Sequence, residues 1–286
     1  MPSIPYDPTR RALYTPAVSP APLFVADRTY TDEQIAVEAA RLAYLKAEQS
    51  EAELVTLAGA LALLSFAPPV LFSDSPTGGQ AFGAFRAADG LALLAFRGTQ
   101  PDEATDIQAD LSATLTRWTE RAGRVHKGFA GRWRALRGPI EQWLGTQAAA
   151  RSRLLLCGHS LGGALATLSA SVWTPAQLIT IGSPRVGNEE FVQTVDAAKT
   201  KRFVNCCDLV TQVPPELPSL YVHVTHKTYI DRKGAVHDNP EADFVSDDRT
   251  RARARYLVEE SWKLGNVVVR DMADHAPINY ARAVFA

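Results

Sequence analysis

Residues 154–166 read Leu154-Leu155-Leu156-Cys157-Gly158-His159-Ser160-Leu161-Gly162-Gly163-Ala164-Leu165-Ala166. A short apolar run of the buried-strand kind leads into Gly158-His159-Ser160-Leu161-Gly162, and an apolar helical stretch follows it. The pentapeptide fits the Gly-x-Ser-x-Gly nucleophile elbow, in which a serine occupies a sharp strand-to-helix turn. The pattern alone is common by chance; the strand before it and the helix after it make it specific. At such a turn a side chain two positions either way would clash, and Gly158, Gly162, Gly163 and Ala164 remove those side chains. The N-terminus of the following helix then aims its amides at the serine, where they can stabilise an oxyanion.

A serine hydroxyl is a poor nucleophile near neutral pH and needs a base, and the base needs an orienting acid. With an elbow serine the chain order is serine, acid, histidine, so the base is sought among His223, His226, His237 and His275. His223 and His226 fall within a strand-like run. His275, in Asp274-His275-Ala276-Pro277, falls in a loop before the last helix, and His237 sits in a polar turn and stays as the rival. For the acid, Asp208 closes the strand-like run 202–207, and Asp231 closes a second one. A turn cap is the plain alternative for either aspartate.

The rest of the sequence sets the frame. The chain has 286 residues, 46% hydrophobic and 21% charged, with a net charge of −1. That excludes disorder as the dominant state and argues against nucleic acid as the main partner, which would need a surplus of Lys and Arg. Three cysteines, two of them adjacent (Cys206, Cys207), make neither a disulfide framework nor a zinc spacing. No cofactor or metal is implied, and Cys157, Cys206 and Cys207 read as small buried hydrophobes in strands. The longest apolar stretch, 54–70, is interrupted by Thr56 and Ser65 and stopped at Pro68-Pro69, so it suits a buried helix and no transmembrane segment is expected. The Pro-rich opening residues show no signal-peptide run, which makes the cytoplasm the default location; export without such a signal stays open. Residues 1–30 read as an extended arm wrapping a single domain, 31–286.

Within that domain Thr31 with Gln34, and Ser50 with Glu53, mark two capping boxes. Residues 80–86 and 91–96 form a hairpin through Ala88-Asp89-Gly90. Helices are expected at 133–144, 162–171 and 188–199, and strands at 153–157, 177–181, 202–207, 221–230 and 266–269. Ser246, Asp247 and Asp248 read as the cap of a helix reaching about residue 263, with Arg249, Arg251, Arg253 and Arg255 as its solvated face. Strands alternating with helices imply an α/β fold, a mostly parallel sheet with helices on both faces.

The chain resembles the class 3 (fungal-type) lipases of the α/β-hydrolase superfamily. Five segments match in the family's order: Phe96-Arg97-Gly98-Thr99, His126-Lys127-Gly128-Phe129, Gly158 to Ala166, Gly182-Ser183-Pro184-Arg185-Val186-Gly187-Asn188, and Asn205 through Pro215. Asp274-His275 with Tyr280 is a weaker sixth. The resemblance implies Ser160 as nucleophile, His275 as general base and Asp208 as its orienting acid. It implies an oxyanion hole from Thr99, through its amide and hydroxyl, and from the amide of Leu161. His126 matches a position that reads as structural.

Between Thr99 and His126 the family places its lid, here about 100–122. Ile107, Leu111, Leu115 and Trp118 recur at helical spacing and draw an apolar stripe, expected to cover the site in water and turn outward at a lipid surface. The family's usual aromatic in this segment is Ile107 here, and Asp110 matches an aspartate that supports the oxyanion residue. The function implied is a serine carboxyl-ester hydrolase of the triacylglycerol lipase type, releasing fatty acids from acyl lipids through an acyl-enzyme, with transient contact to a lipid interface. Phospholipase A1 or non-lipid esterase activity on the same triad, acyl transfer to an alcohol, and an idle lipase-like interaction module remain as alternatives.

Overall fold

The computed structural model of the chain describes residues 4–16, 21–99, 114–217 and 219–286. In chain order it begins with α1 (Arg10–Tyr14), α2 (Asp32–Leu42), α3 (Glu51–Ala62), β1 (Val70–Asp74), β2 (Gly79–Arg86), β3 (Leu91–Phe96), β4 (Leu115–Arg117), β5 (Arg124–His126) and α4 (Lys127–Gly145). There follow β6 (Arg153–His159), α5 (Leu161–Val172), β7 (Gln177–Ile181), α6 (Glu189–Val192), β8 (Thr200–Asn205), β9 (Thr228–Ile230) and β10 (Val236–Asp238). The chain closes with α7 (Ala242–Glu259), α8 (Arg270–Ala273) and α9 (Pro277–Val284).

One sheet runs β1-β2-β3-β6-β7-β8-β9-β10. β1, β2 and β3 pair antiparallel, β3 through β9 pair parallel, and β10 closes the far edge antiparallel to β9. Successive residues of a strand point to opposite faces, and the central strands are apolar on both. Leu91, Leu93, Ala95, Leu155 and Cys157 pack with α2 and α9, whereas Ala92, Leu94, Phe96, Leu154 and Leu156 pack with α4 and α5. A continuous apolar run is what a parallel strand covered on both faces requires.

The Thr31–Gln34 box forms with both halves and opens α2. Ser50 caps α3 by accepting from the Glu53 amide, but the Glu53 carboxylate turns to the Lys46 amide instead of completing a box. α3 is also less buried than its composition suggests: only Leu57, Ala60 and Leu61 are covered, and Val55 is 64% exposed. The arm's residues 4–16 lie against the C-terminal segment, with Val267 N–H bonding Pro8 O and Arg10 N–H bonding Gly265 O, and with Ala12 and Leu13 buried.

Several expectations are corrected. The helix expected over 188–199 is a single turn, α6, capped by Asn188, and Asp196 then caps a separate 3-10 turn, Ala197–Lys199. Of 221–230 only β9 joins the sheet; Tyr221 and Val222 make isolated bridges to Leu217 and Gly187. Residues 266–269 pair with the arm and not with the sheet. Ser246, Asp247 and Asp248 lie inside α7, which starts at Ala242 and ends at Glu259, because Asp248 is buried as an acceptor for Arg232, Tyr229 and Cys206. Cys206 and Cys207 are buried in the turn beyond β8, not in a strand.

The lid stripe is corrected in its second half. Leu115 lies in β4, which pairs with β5 as a separate two-stranded ribbon. Trp118 is 1% exposed, edge-on to Trp133 at 5.0 Å and to Phe191 at 6.3 Å, with its indole N–H on Ser171 Oγ. Residues 115–126 are thus ribbon and core. Ile107, Leu111 and Asp110 fall outside the described residues.

Candidate active site

Ser160 joins β6 to α5 at φ 56°, ψ −128°, a left-handed backbone that a non-glycine residue rarely adopts. Its N–H bonds Ile181 O on the neighbouring strand at 3.0 Å. The glycines leave no room for substitution, since a methyl group on Gly158 would stand 2.3 Å from the Gly162 carbonyl. Leu161 is the first residue of α5, so helix geometry gives its N–H no intrahelical partner.

Asp208 follows β8 in a turn closed by its own N–H on Asn205 O. It is fully buried, with Oδ1 accepting from the Val210 amide at 2.9 Å. Oδ2 accepts from His275 Nδ1 at 2.9 Å and from the Tyr280 hydroxyl in α9. Burial, reinforced by the Asp208 charge, pushes the Tyr280 hydroxyl well above its ordinary range, which keeps it a donor. His275 lies between α8 and α9 and is 2% exposed.

Three close approaches bring these groups to one edge of the sheet. A methyl on Gly182, the residue after Ile181, would meet Asp208 Oδ2 at 2.9 Å and the His275 ring at 3.1 Å. The rings of His159 and His275 lie 4.3 Å apart, and His159 Nε2 bonds His275 O at 2.8 Å. A methyl on Gly98 would come 3.2 Å from Ser160 Cβ, so the segment carrying Thr99 runs beside the serine. That segment is fixed by Arg97, whose buried guanidinium bonds Glu48 at 2.7 Å and Leu45 O. Ser160, Leu161, Thr99, Asp208 and His275 therefore gather at the carboxyl edge of the parallel strands, where ligands bind in open α/β sheets. The rival pair does exist, His237 Nε2 lying 3.1 Å from Asp231 Oδ2. It sits on β10, four strands from β6 in the sheet order, and Asp231 also closes a turn by accepting from Lys233 and Ala235.

Some of the supporting side chains carry no local sequence signal. The Tyr44 hydroxyl bonds His159 Nδ1 at 2.7 Å; since His159 Nε2 faces a carbonyl it carries the proton, and Nδ1 is the acceptor. Burial, with His275 adjacent, holds the His159 imidazole well below its ordinary value. Asp274 accepts from Tyr6 in the arm, from Arg270 and from the Cys207 amide, and burial pushes its carboxyl up despite the Arg270 guanidinium. His126 caps α4, its Nδ1 accepting from Gly128 N–H. Among the described residues Cys206, Cys207 and Asp274 come close enough to share a metal ion. The Asp274 oxygens, however, are already engaged by three donors, so the cluster reads as a packed hydrogen-bond network.

Residues 93–217 match the class 3 lipase family. The chain is 34% identical over 153 residues to Toxin TseL of Vibrio cholerae, covering 49% of this chain and 23% of that protein. It is 32% identical over 115 residues to secreted mono- and diacylglycerol lipase 1 of Fusarium solani, covering 37% of this chain and 34% of that one. Those two matches thus reach less than half the length of either relative. Among solved structures, lipase II from Rhizopus niveus superposes with a TM-score of 0.57 at 21% identity, covering 70% of this chain and 79% of that one. That likeness establishes the α/β-hydrolase fold.

Proposed function

We propose that the chain is a serine carboxyl-ester hydrolase that releases fatty acids from acyl lipids through an acyl-enzyme. The observation that carries this reading is the buried His275–Asp208 pair, at 2.9 Å, set against an elbow serine of strained backbone. His275 takes the proton from Ser160 Oγ as that oxygen attacks the ester carbonyl. The amides of Leu161 and Thr99, with the Thr99 hydroxyl, hold the oxyanion of the tetrahedral intermediate. His275 then protonates the departing alcohol, and the carbonyl re-forms as the acyl-enzyme. A water deprotonated by the same histidine attacks it, and the fatty acid leaves as Ser160 regains its proton. Asp208 holds the imidazole in the tautomer with Nδ1 protonated and stabilises the cation that forms; Tyr280 and the Val210 amide fix the carboxylate in turn. The family match and the glyceride lipase among its relatives support an acylglycerol as substrate, of the triacylglycerol type.

A fluorophosphonate probe tests the reading directly. Intact mass should rise by one adduct, peptide mapping should place it on Ser160, and Ser160→Ala should abolish both the adduct and ester turnover with the fold unchanged. Losing a triad member costs roughly 10⁴- to 10⁶-fold in turnover. An adduct elsewhere, or Ser160→Ala activity near the parent level, would refute the assignment. Fatty-acid release from triacylglycerol, diacylglycerol and phospholipid emulsions, measured side by side, sets the substrate class.

A further inference from the structure

From the last turn of α7 onward the surface turns apolar. Leu257 is 69% exposed, Val258 72%, Trp262 72%, Leu264 104%, Val268 60% and Val269 50%. Soluble proteins scatter single apolar side chains over the surface, but a run of this density marks a contact site. The run is held rigidly: the Trp262 indole bonds Val258 O, the Asn266 amide bonds Lys263 O, and Asn266 and Val267 between the exposed residues are buried. Its position is set by its neighbours. Arg249 bonds Cys206 O and Arg253 bonds Asp271, whose own carbonyl takes the Leu209 amide, one residue past the candidate catalytic aspartate. α7 therefore climbs past the carboxyl end of β8, and its apolar end stands on the edge of the sheet that carries Ser160 and His275.

Charge selects the occupant. Four basic side chains of α7 and the loop after it are neutralised, Arg251 by Asp247, Arg253 by Asp271, Arg255 by Glu259 and Lys263 by Glu260, while Arg249 is half-buried on Cys206 O and Gln212. Arg10 and Arg11 differ. Both are exposed, neither has a carboxylate partner among the described residues, and the Arg10 amide is bonded to Gly265 O beside Leu264. Unpaired cations beside exposed Leu, Val and Trp fit an anionic lipid surface, where aliphatic side chains enter the acyl region and arginines meet phosphates. A tryptophan at the polar boundary suits the same setting.

We propose that Leu257, Val258, Trp262, Leu264, Val268 and Val269, with Arg10 and Arg11, form a fixed docking knob. It seats the carboxyl edge of the sheet on an anionic lipid surface. The inference rests on the hydrolase reading above for its benefit, since an insoluble ester is reached only from its interface, but binding is measured without turnover. The knob draws on no residue between Thr99 and Thr114.

Flotation of the full-length Ser160→Ala protein with vesicles of phosphatidylcholine, alone or with phosphatidylglycerol, tests it. The protein should float with the anionic vesicles. Trp262→Asp combined with Leu264→Asp should weaken that binding at least about tenfold, and so should Arg10→Glu with Arg11→Glu. In the active background the Trp262/Leu264 pair should lower emulsion hydrolysis by a similar factor while hydrolysis of a soluble short-chain ester stays at the parent rate. Parent protein that ignores anionic vesicles, or variants that float like the parent, would overturn the proposal. So would a parent dimer that the Trp262/Leu264 substitutions split without any vesicle binding, since the occupant would then be a second copy. Vesicle binding by a protein that cleaves neither ester would sink the hydrolase reading and leave the docking knob standing.

Discussion

At the scale of single residues, Ser160 and His159 show strain and burial put to opposite uses. The serine holds a disfavoured φ because its amide is tied to β7 and its neighbours are glycines. The histidine beside it is held neutral. Burial first and the nearby His275 second lower its affinity for a proton, and at His223 burial is joined by Arg202 and Arg185 to the same effect. In the unfolded chain both imidazoles titrate near the ordinary 6.5. Below that value the unfolded chain takes up protons that the folded chain refuses. Stability is therefore complete above it and falls as the pH drops, by up to about 1.4 kcal/mol per pH unit for each histidine. Thermal melts should show a Tm flat from about pH 7 to 8 and declining from about 6.5 toward 5, above the range where most carboxylates titrate. His223→Gln, which keeps a donor for Thr211 O, should remove part of the decline. A Tm level down to pH 5 would mean that neither histidine is held neutral.

At the scale of elements, β2, β3, β6, β7 and α5 are legible in the sequence because their signals are local: turn residues at their ends, apolar runs between them and a glycine-flanked serine. The stretch after Thr99 misleads for an equally physical reason. Leu115 and Trp118 continue the helical spacing of Ile107 and Leu111, yet Leu115 is claimed by pairing with β5 and Trp118 by a cavity between α4, α5 and α6. Tertiary packing overrides a short periodic pattern. The two assignments of Trp118 separate cleanly. As a core residue its replacement by Ala should cost about 3–5 kcal/mol of stability, read by denaturant titration. Activity per folded molecule should then fall alike on soluble esters and emulsions. Unchanged stability with a loss confined to emulsions would return Trp118 to the lid. α6 and the segment 221–227 depart from their sequence patterns for the same reason, because bridges from Gly187 to Val125 and Val222 decide their path and lie far away in sequence.

At the scale of the whole molecule, the loop that presents His275 is fixed by the residues most distant from it in the chain. Tyr6 donates its hydroxyl to Asp274 at 2.8 Å across 268 positions, and Asp7 and Asn279 exchange two bonds of 2.8 Å each. The Tyr6 ring also lies under the Arg270 and Arg282 guanidiniums, at 5.2 and 5.6 Å. Asp274 precedes the candidate base and offers its carbonyl to Asn205 at the end of β8, so the arm, the base loop and the strand leading to Asp208 form one hydrogen-bonded unit. Such contacts leave no periodic mark, which is why the sequence suggests an arm but not its purpose. Tyr6→Phe keeps the ring under both arginines and deletes only the donor to a buried carboxylate. It should cost about 1–3 kcal/mol of stability. Because the loop that loosens carries the candidate base, kcat should fall more than KM rises. Removing residues 1–16 also deletes the buried side chains of Ala12 and Leu13 and should lower the Tm further, with kcat following in the same order. If Tyr6→Phe lowers the Tm and leaves kcat at the parent value, the arm stabilises the fold without positioning His275, and the coupling between arm and site is absent.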